Sequence, residues 1–298
     1  MNSEKYPIAV TTFYTFAPLS EETLNEWEQK IFTFSESSGL FGLIISGAEG
    51  LNATVAGSDD TIGSFKALIR SIDGFQDTIF KDSRAASIPF KRFKIKRRDE
   101  IVTLKRPEFV PASSNNNHLS PEEWEKVLQS EEDYVLIDTR NSYEVEVGKF
   151  EGAIDPEMHM FSEFGNFIDR AEIPKEKKVL MYCTGGIRCE KAILEMQSRG
   201  YEDVYQLEGG ILNYLQKYPN SKYEGECFVF DHRVAVNQEL LPSTTFKLCP
   251  HCGDPGNVRV SCALCESEAI VCAECRSLSY GETCSKNCAY HLRTQSIG

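Results

Sequence analysis

The chain has 298 residues, 41% of them hydrophobic and 26% charged, a length for two or three domains and a composition ordinary for a globular protein. That excludes a wholly disordered or fibrous chain, and no apolar run reaches the ~18–20 residues of a membrane span. Thirty-two Lys and Arg stand against 45 Asp and Glu, a net charge of −13, which taken globally argues against nonspecific nucleic-acid binding. The average hides a contrast. Residues 91–106 hold eight basic and two acidic side chains, leaving −19 on the other 282 residues. The first residues, MNSEKYPIAV, lack a basic segment followed by an apolar one, so no secretory signal and no membrane partner are expected, and the chain reads as cytoplasmic. In that compartment eleven cysteines point to metal binding or thiol chemistry rather than disulfides.

In chain order, Pro7–Phe13 reads as a strand, and Ser20 as the N-cap of a helix carrying Leu24, Trp27, Ile31 and Phe34 at helical spacing. Leu40–Ile45 and Asn52–Ala56 read as strands joined through Gly47 and Gly50. Ile62, Phe65, Leu68 and Ile69 mark a second helix. Phe90–Ile95 alternates apolar and basic residues like a half-buried strand. The order βαββαβ predicts a ferredoxin-like α+β domain over residues 1–109.

Pro, Ser and Asn in Val110–Asn117 predict a linker, residues 110–118. Ser120-Pro121-Glu122-Glu123 is a capping box opening a helix with Trp124, Val127 and Leu128 on its apolar face. Strands at Val135–Asp138, Val179–Cys183 and Val204–Leu207 alternate with helices at Ala192–Arg199 and Ile211–Tyr218. That alternation predicts a parallel-sheet α/β domain over residues 119–223. Residues 224–298 form a cysteine-rich region.

The segment Cys183-Thr184-Gly185-Gly186-Ile187-Arg188 places a cysteine at a strand end, before a glycine turn and a helix start. Ligands bind at the carboxyl ends of strands in open parallel sheets. The turn's backbone N–H groups, the helix dipole and the Arg188 cation are expected to lower the thiol pKa from ~8.5. No histidine lies nearby in sequence to act as a general base. A free cysteine at a strand end is often only a small buried hydrophobe, but the glycines and the arginine at this spacing favour a nucleophile.

Four pairs, Cys249/Cys252, Cys262/Cys265, Cys272/Cys275 and Cys284/Cys288, fall within forty residues. Thiolates two or three residues apart bind one ion from a single turn, so two four-cysteine sites and structural zinc are expected. An iron–sulfur cluster would use only four of the eight. His251 and His291 are spare nitrogen ligands.

Residues 183–188 resemble the active-site loop of rhodanese domains, where the cysteine carries sulfur as a persulfide. Related phosphatases have a loop one residue longer, so C-x4-R argues against phosphatase chemistry. Asp138-Thr139-Arg140, Tyr143-Glu144, Gly148 and Gly152-Ala153 resemble the opening rhodanese motif, with Lys149-Phe150 a departure from the common His-Ile; Leu207–Ile211 resembles the closing one. Asp138 and Arg140 are expected to fix loops, and Cys189 to be a resolving thiol or a packing residue. Glu49–Gly57, the basic Lys91–Arg98, Tyr182–Ala192 and Cys227–Val234 together resemble the bacterial tRNA uridine hydroxylases. The resemblance implies an acylphosphatase-like domain before a rhodanese domain, and oxygen-dependent formation of 5-hydroxyuridine at wobble position 34 of tRNA, with dioxygen as co-substrate. No dinucleotide-binding glycine motif for a flavin or nicotinamide, and no two-histidine, one-carboxylate iron site, is evident in the sequence. Addition of a Cys183 thiolate or persulfide to C6 of uracil is one route by which C5 becomes electron-rich.

Two rival readings are a sulfurtransferase carrying sulfane sulfur on Cys183 and a non-catalytic adaptor. Intact Cys183 and Arg188 disfavour the adaptor. The basic residues Lys91, Arg92, Lys94, Lys96, Arg97 and Arg98 separate the other two, because a small-molecule sulfurtransferase needs no RNA-binding strand. Lysines guarding a sheet edge are a plainer origin for such a segment.

Overall fold

The computed structural model describes residues 5–112 and 117–295. Residues 113–116, inside the expected linker, lie outside the described residues.

The N-terminal unit runs β1 (Ile8–Phe16), α1 (Glu21–Ser38), β2 (Phe41–Gly47), β3 (Gly50–Gly57), α2 (Asp59–Arg70), β4 (Lys81–Ala85) and β5 (Phe93–Arg97). Ser20 and Ser58 cap the helices by accepting the Thr23 and Thr61 N–H groups at 3.1 Å. The strand order is β4-β1-β3-β2-β5. The first four strands form the expected ferredoxin-like sheet, but the sequence assigned its closing strand wrongly. Lys81–Ala85 closes it against β1, antiparallel. The alternating basic segment, expected as Phe90–Ile95, is instead an added fifth strand, parallel to β2. Sequence patterning missed β4 because KDSRA shows no apolar alternation: Lys81 and Ala85 are buried, and no other residue of the strand is.

Both helices cover one face, where Phe13, Ile44, Val55, Phe65 and Ile69 form the core. The register sends Thr12, Tyr14, Leu43, Ile45, Asn52, Thr54 and Lys81 to the other face. That face is partly covered, because it lies over the second domain.

The second unit begins with β6 (His118–Leu119) and α3 (Pro121–Gln129), whose capping box is formed in full by Ser120 and Glu123. Then follow β7 (Tyr134–Asp138), α4 (Ser142–Val145), β8 (Gly148–Phe150), α5 (Phe164–Arg170), β9 (Lys178–Tyr182), α6 (Ile187–Ser198), β10 (Val204–Leu207), α7 (Gly210–Lys217) and β11 (Tyr223–Gly225). Strands β6-β10-β9-β7 form one parallel sheet. Helices α5 and α6 pack on one face around Phe164, Ile193 and Met196. Helices α3 and α7 pack on the other around Trp124, Tyr182 and Tyr214. Beyond β11 the chain turns back across both units before reaching the cysteine-rich region.

The two units are fastened by buried charge. Lys191 of α6 is fully buried, 2.9 Å from Glu49 and 2.8 Å from Glu100. Arg233, forked on Asp231, donates to Ser83 Oγ at 2.7 Å and to the Arg84 carbonyl at 3.2 Å. Tyr14 donates to Glu190 at 2.8 Å. Removing one member of a buried ion cluster leaves its partners charged and unpaired, at a cost of about 3–5 kcal/mol. Lys191→Met is therefore expected to destabilise the protein by that amount, read as a lowered urea midpoint. A midpoint equal to wild type would show that the triad contributes no net stability.

Candidate active site at the Cys183 loop

β9 is flanked on both sides, by β7 and β10, so its end is held in the middle of the sheet. The chain leaves it at Cys183 and turns through Thr184, Gly185 and Gly186 into α6. Two glycines make the turn feasible. Gly186 has φ 101°, and a Cβ there would lie 2.8 Å from the Tyr14 hydroxyl. Gly210 has φ 67°, and a Cβ there would lie 2.5 Å from the Cys183 carbonyl oxygen. Only glycine meets both demands. The first N–H groups of α7 hold the loop from below: Ile211 donates to the Cys183 carbonyl at 3.0 Å and Leu212 to that of Thr184 at 3.1 Å.

With its carbonyl so held, Cys183 turns its sulfur inward, where the Gly186 N–H donates to Sγ at 3.1 Å. Burial alone would raise this thiol. The hydrogen bond from Cys189, the Arg188 charge and the N–H groups of Arg188 and Gly186 outweigh it and bring Cys183 down to about 5. Cys189 moves the opposite way: burial, then the hydrogen bond to Cys183, push it well above the ordinary thiol range. The two thiols are pushed in opposite directions, which favours a thiolate on Cys183 beside a neutral Cys189.

Arg188 is buried, and its guanidinium is bidentate on Glu144, at 2.6 and 2.8 Å. The sequence put Arg188 beside the sulfur; its direct side-chain partner is Glu144, and its influence on Cys183 runs through charge and its backbone N–H. Burial opposes ionisation of Glu144, but the Arg188 charge prevails and holds its carboxyl below the usual range. Asp138 and Arg140 are a fully buried fork closed onto the Gly148 carbonyl, which fixes the turn carrying Glu144.

The far face of the N-terminal sheet roofs this loop, leaving between them an open-sided cavity of about 440 Å³. Cys183, Thr184, Gly185, Ile187 and Arg188 line its floor, and Thr12, Tyr14, Asn52, Thr54 and Lys81 its roof. Met160 and Phe230 stand at its margin, 53% and 60% exposed. Sequence reasoning missed Lys81, Tyr14 and Glu190 altogether: Lys81 donates to the Gly185 carbonyl at 3.1 Å from more than a hundred residues away, a distance at which no local motif forms.

Of the basic segment, Lys91, Arg92, Lys94, Lys96 and Arg98 are exposed. Lys94 and Lys96 pair in register with Leu43 and Ile45, on the cavity face, and Arg98 lines the cavity. Arg97 differs: it turns to the helices and is held by Glu21, Asn25 and Glu28.

The eight tail cysteines gather into two groups, Cys249, Cys252, Cys272 and Cys275 in one and Cys262, Cys265, Cys284 and Cys288 in the other. The pairs interleave, first with third and second with fourth. Neighbouring sulfurs lie 3.5–3.8 Å apart. That is far beyond a disulfide's ~2.05 Å and close to the edge of a tetrahedron with metal–sulfur bonds of ~2.3 Å. The donor set therefore fits a tetrahedral metal ion in each group. His251 is engaged with the Thr283 carbonyl at 2.9 Å. The eleventh cysteine, Cys227, is buried, which pushes its thiol up to about 12.

A thiolate cradled by C-x4-R at the end of a parallel strand defines a rhodanese-like domain, and residues 120–217 match that domain family. Residues 8–101 match the UPF0176 acylphosphatase like domain and 224–289 the rhodanase C-terminal region. A tRNA uridine(34) hydroxylase of Bdellovibrio bacteriovorus is 48% identical over 292 residues, 97% of this chain and 83% of the relative. Proteins of the same name from Legionella pneumophila and a Picosynechococcus species are 43% and 38% identical, covering 78% and 89% of this chain and 92% and 89% of their own lengths. This chain belongs to the tRNA uridine(34) hydroxylase family.

The thiolate fraction sets the rate of alkylation. Iodoacetamide labelling of Cys183 is expected to rise with pH through a midpoint near 5 and stay level from about pH 6 to 8. Arg188→Ala is expected to move that midpoint upward. Labelling that begins only near the free-thiol value of ~8.5 would refute the thiolate.

Proposed function

We propose that this chain hydroxylates C5 of the wobble uridine of tRNA, at position 34, to 5-hydroxyuridine, with Cys183 as the nucleophile. The observation that carries the reading is the thiolate at the floor of a cavity roofed by a second domain and bordered by basic residues. Enzymes that modify a base draw it out of its stack. An anticodon base is already single-stranded, so extrusion costs little. Met160 and Phe230 offer apolar surface on which such a base stacks, and Arg92, Lys94, Lys96 and Arg98 with Lys91 offer cations to its phosphates. Arg97, committed to Glu21 and Glu28, is outside this surface.

In this reading the Cys183 sulfur adds to C6, and the C5–C6 electron pair moves onto C5 and O4 as an enolate. C5 then bonds to oxygen at the peroxide level and the O–O bond breaks. Loss of H5 as a proton and cleavage of the S–C6 bond restore the ring and the thiolate. Dioxygen is the oxidant; with two electrons and two protons from an external donor it yields one hydroxyl on uridine and one water. In this reading the activity is cytoplasmic, where tRNA is met. The two cysteine groups would hold structural zinc, as part of the scaffold rather than of the reaction.

A sulfurtransferase would use the same Cys183 loop for a persulfide, but it has no use for a basic strand or a nucleoside-sized roofed cavity. Cys183→Ser, close in size but protonated at neutral pH, is expected to abolish 5-hydroxyuridine in tRNA. Normal hydroxylation by that variant would remove the loop from the reaction, and loss of sulfur transfer alone would favour the rival.

Replacing Arg92, Lys94 and Lys96 by Glu is expected to weaken tRNA binding without unfolding the domain. Each lost phosphate contact should reduce the salt slope by about one unit. Equal affinity at low salt would count against the RNA surface. Metal analysis of protein purified without chelator is expected to give close to two zinc ions per chain, and a chelator to loosen the tail while the Cys183 domain stays folded. A metal-free tail with unchanged folding would overturn the zinc assignment.

A further inference from the structure

Lys81 is 3% exposed, yet it makes no ion pair with a described carboxylate. Its Nζ donates to the Gly185 carbonyl at 3.1 Å and lies 4.6 Å from the centre of the Tyr14 ring. An ammonium carries three N–H donors, and the cavity is where the remaining donors lead, because Lys81 lines it together with Cys183. A buried, unpaired ammonium is costly to keep. Structural lysines in this molecule are kept differently, as Lys191 is between two carboxylates.

The charged and titratable groups facing Lys81 are Cys183 from the loop, Glu190 from α6, Glu208 from the turn before α7, and Tyr14 from β1. Burial lowers Lys81 to about 8, against the attraction of Cys183, Glu190 and Glu208. The ammonium therefore prevails at neutral pH. Tyr14, raised by burial and then by Glu190, stays a phenol and donates its hydrogen bond to Glu190.

We infer that Lys81 is a catalytic residue, donating to the uracil O4 on which negative charge develops when Cys183 adds to C6. This rests on the hydroxylation reading. Addition at C6 forms the S–C6 bond and sends an electron pair through C5 to O4. That enolate oxygen needs a donor, and Lys81 is a buried cation on the cavity wall whose ammonium pairs with no described carboxylate. Arg188 also lines the cavity, but its charge is shared with Glu144 through a bidentate pair, whereas Lys81 has no such carboxylate partner.

The test is Lys81→Met, similar in volume and without charge, assayed on tRNA for 5-hydroxyuridine and, separately, for iodoacetamide labelling of Cys183. A donor to a developing oxyanion is worth about 10²–10³ in kcat. Lys81→Met is expected to lose that much, with KM for tRNA changed only a few-fold and Cys183 labelling at pH 7.5 within about two-fold of wild type. Hydroxylation near the wild-type rate overturns the inference. So does an equal loss in labelling and hydroxylation, which would make Lys81 an activator of the thiolate alone. Cys183→Ser run in parallel separates the two levels. If it still hydroxylates, the reading of the site fails; if it is dead while Lys81→Met is active, only the role of Lys81 fails. Should Lys81→Met not fold, single-turnover hydroxylation by wild type decides. The rate is expected to fall as pH rises through about 8, and a rate level to about pH 9 overturns the inference.

Discussion

The site depends on one buried ion cluster. Lys191 sits on α6 three residues after Arg188, and its ammonium binds Glu49, in the turn joining β2 to β3, and Glu100, just past β5. Those three side chains join the helix that carries the reactive loop to the sheet that roofs it. Glu49 also accepts the Ile101 N–H at 2.6 Å, and Glu100 accepts those of Leu104 and Lys105 at 3.1 and 2.9 Å. The chain leaving the first domain is thus clamped at the point where it meets the second. Ionised groups this deep are tolerated only when paired and hydrogen-bonded, so the cluster fixes the separation of roof and floor more stringently than apolar contact would.

The loop faces the same problem on a smaller scale. A buried thiolate is disfavoured unless donors converge on it. Here they come from the turn's own backbone, from the neutral Cys189 thiol and from the Arg188 cation. Arg188 is oriented by Glu144, and Glu144 is held by the Asn141 N–H at 3.1 Å as well as by Arg188. The Arg140–Asp138 fork anchors that turn. An Asp-x-Arg fork of the same form recurs at Asp231 and Arg233, each arginine donating from its backbone N–H and its Nε to the aspartate two residues earlier. One fork fixes the floor, and the other ties the returning chain to the roof at Ser83.

Much of this was legible in the sequence because it is local. The capping box at Ser120, the glycine turn after Cys183 and the paired cysteines are defined by residues a few positions apart, and each appears where the pattern put it. The expected ferredoxin-like order also holds, but its closing strand was misplaced. The alternation in FKIKR is a stronger strand signal than KDSRA, although the latter closes the sheet. The interleaving of the four cysteine pairs was open in the sequence, since spacing alone does not choose a partner pair. Arg97 and Lys96 look alike in the sequence and are separated only by the alternation of a strand with carboxylates on one side.

The cavity was not legible at all. It exists only where two domains meet, and its roof comes from the sheet face that a lone ferredoxin-like domain would leave open. That explains why Thr12, Tyr14, Asn52, Thr54 and Lys81 break the apolar pattern of their neighbours. On a solvent-facing sheet such residues would be ordinary. Placed above a thiolate, they convert the exposed side of one fold into the polar half of another fold's site. The rhodanese-like loop supplies the buried cysteine, and the roof supplies the opposite wall of its cavity.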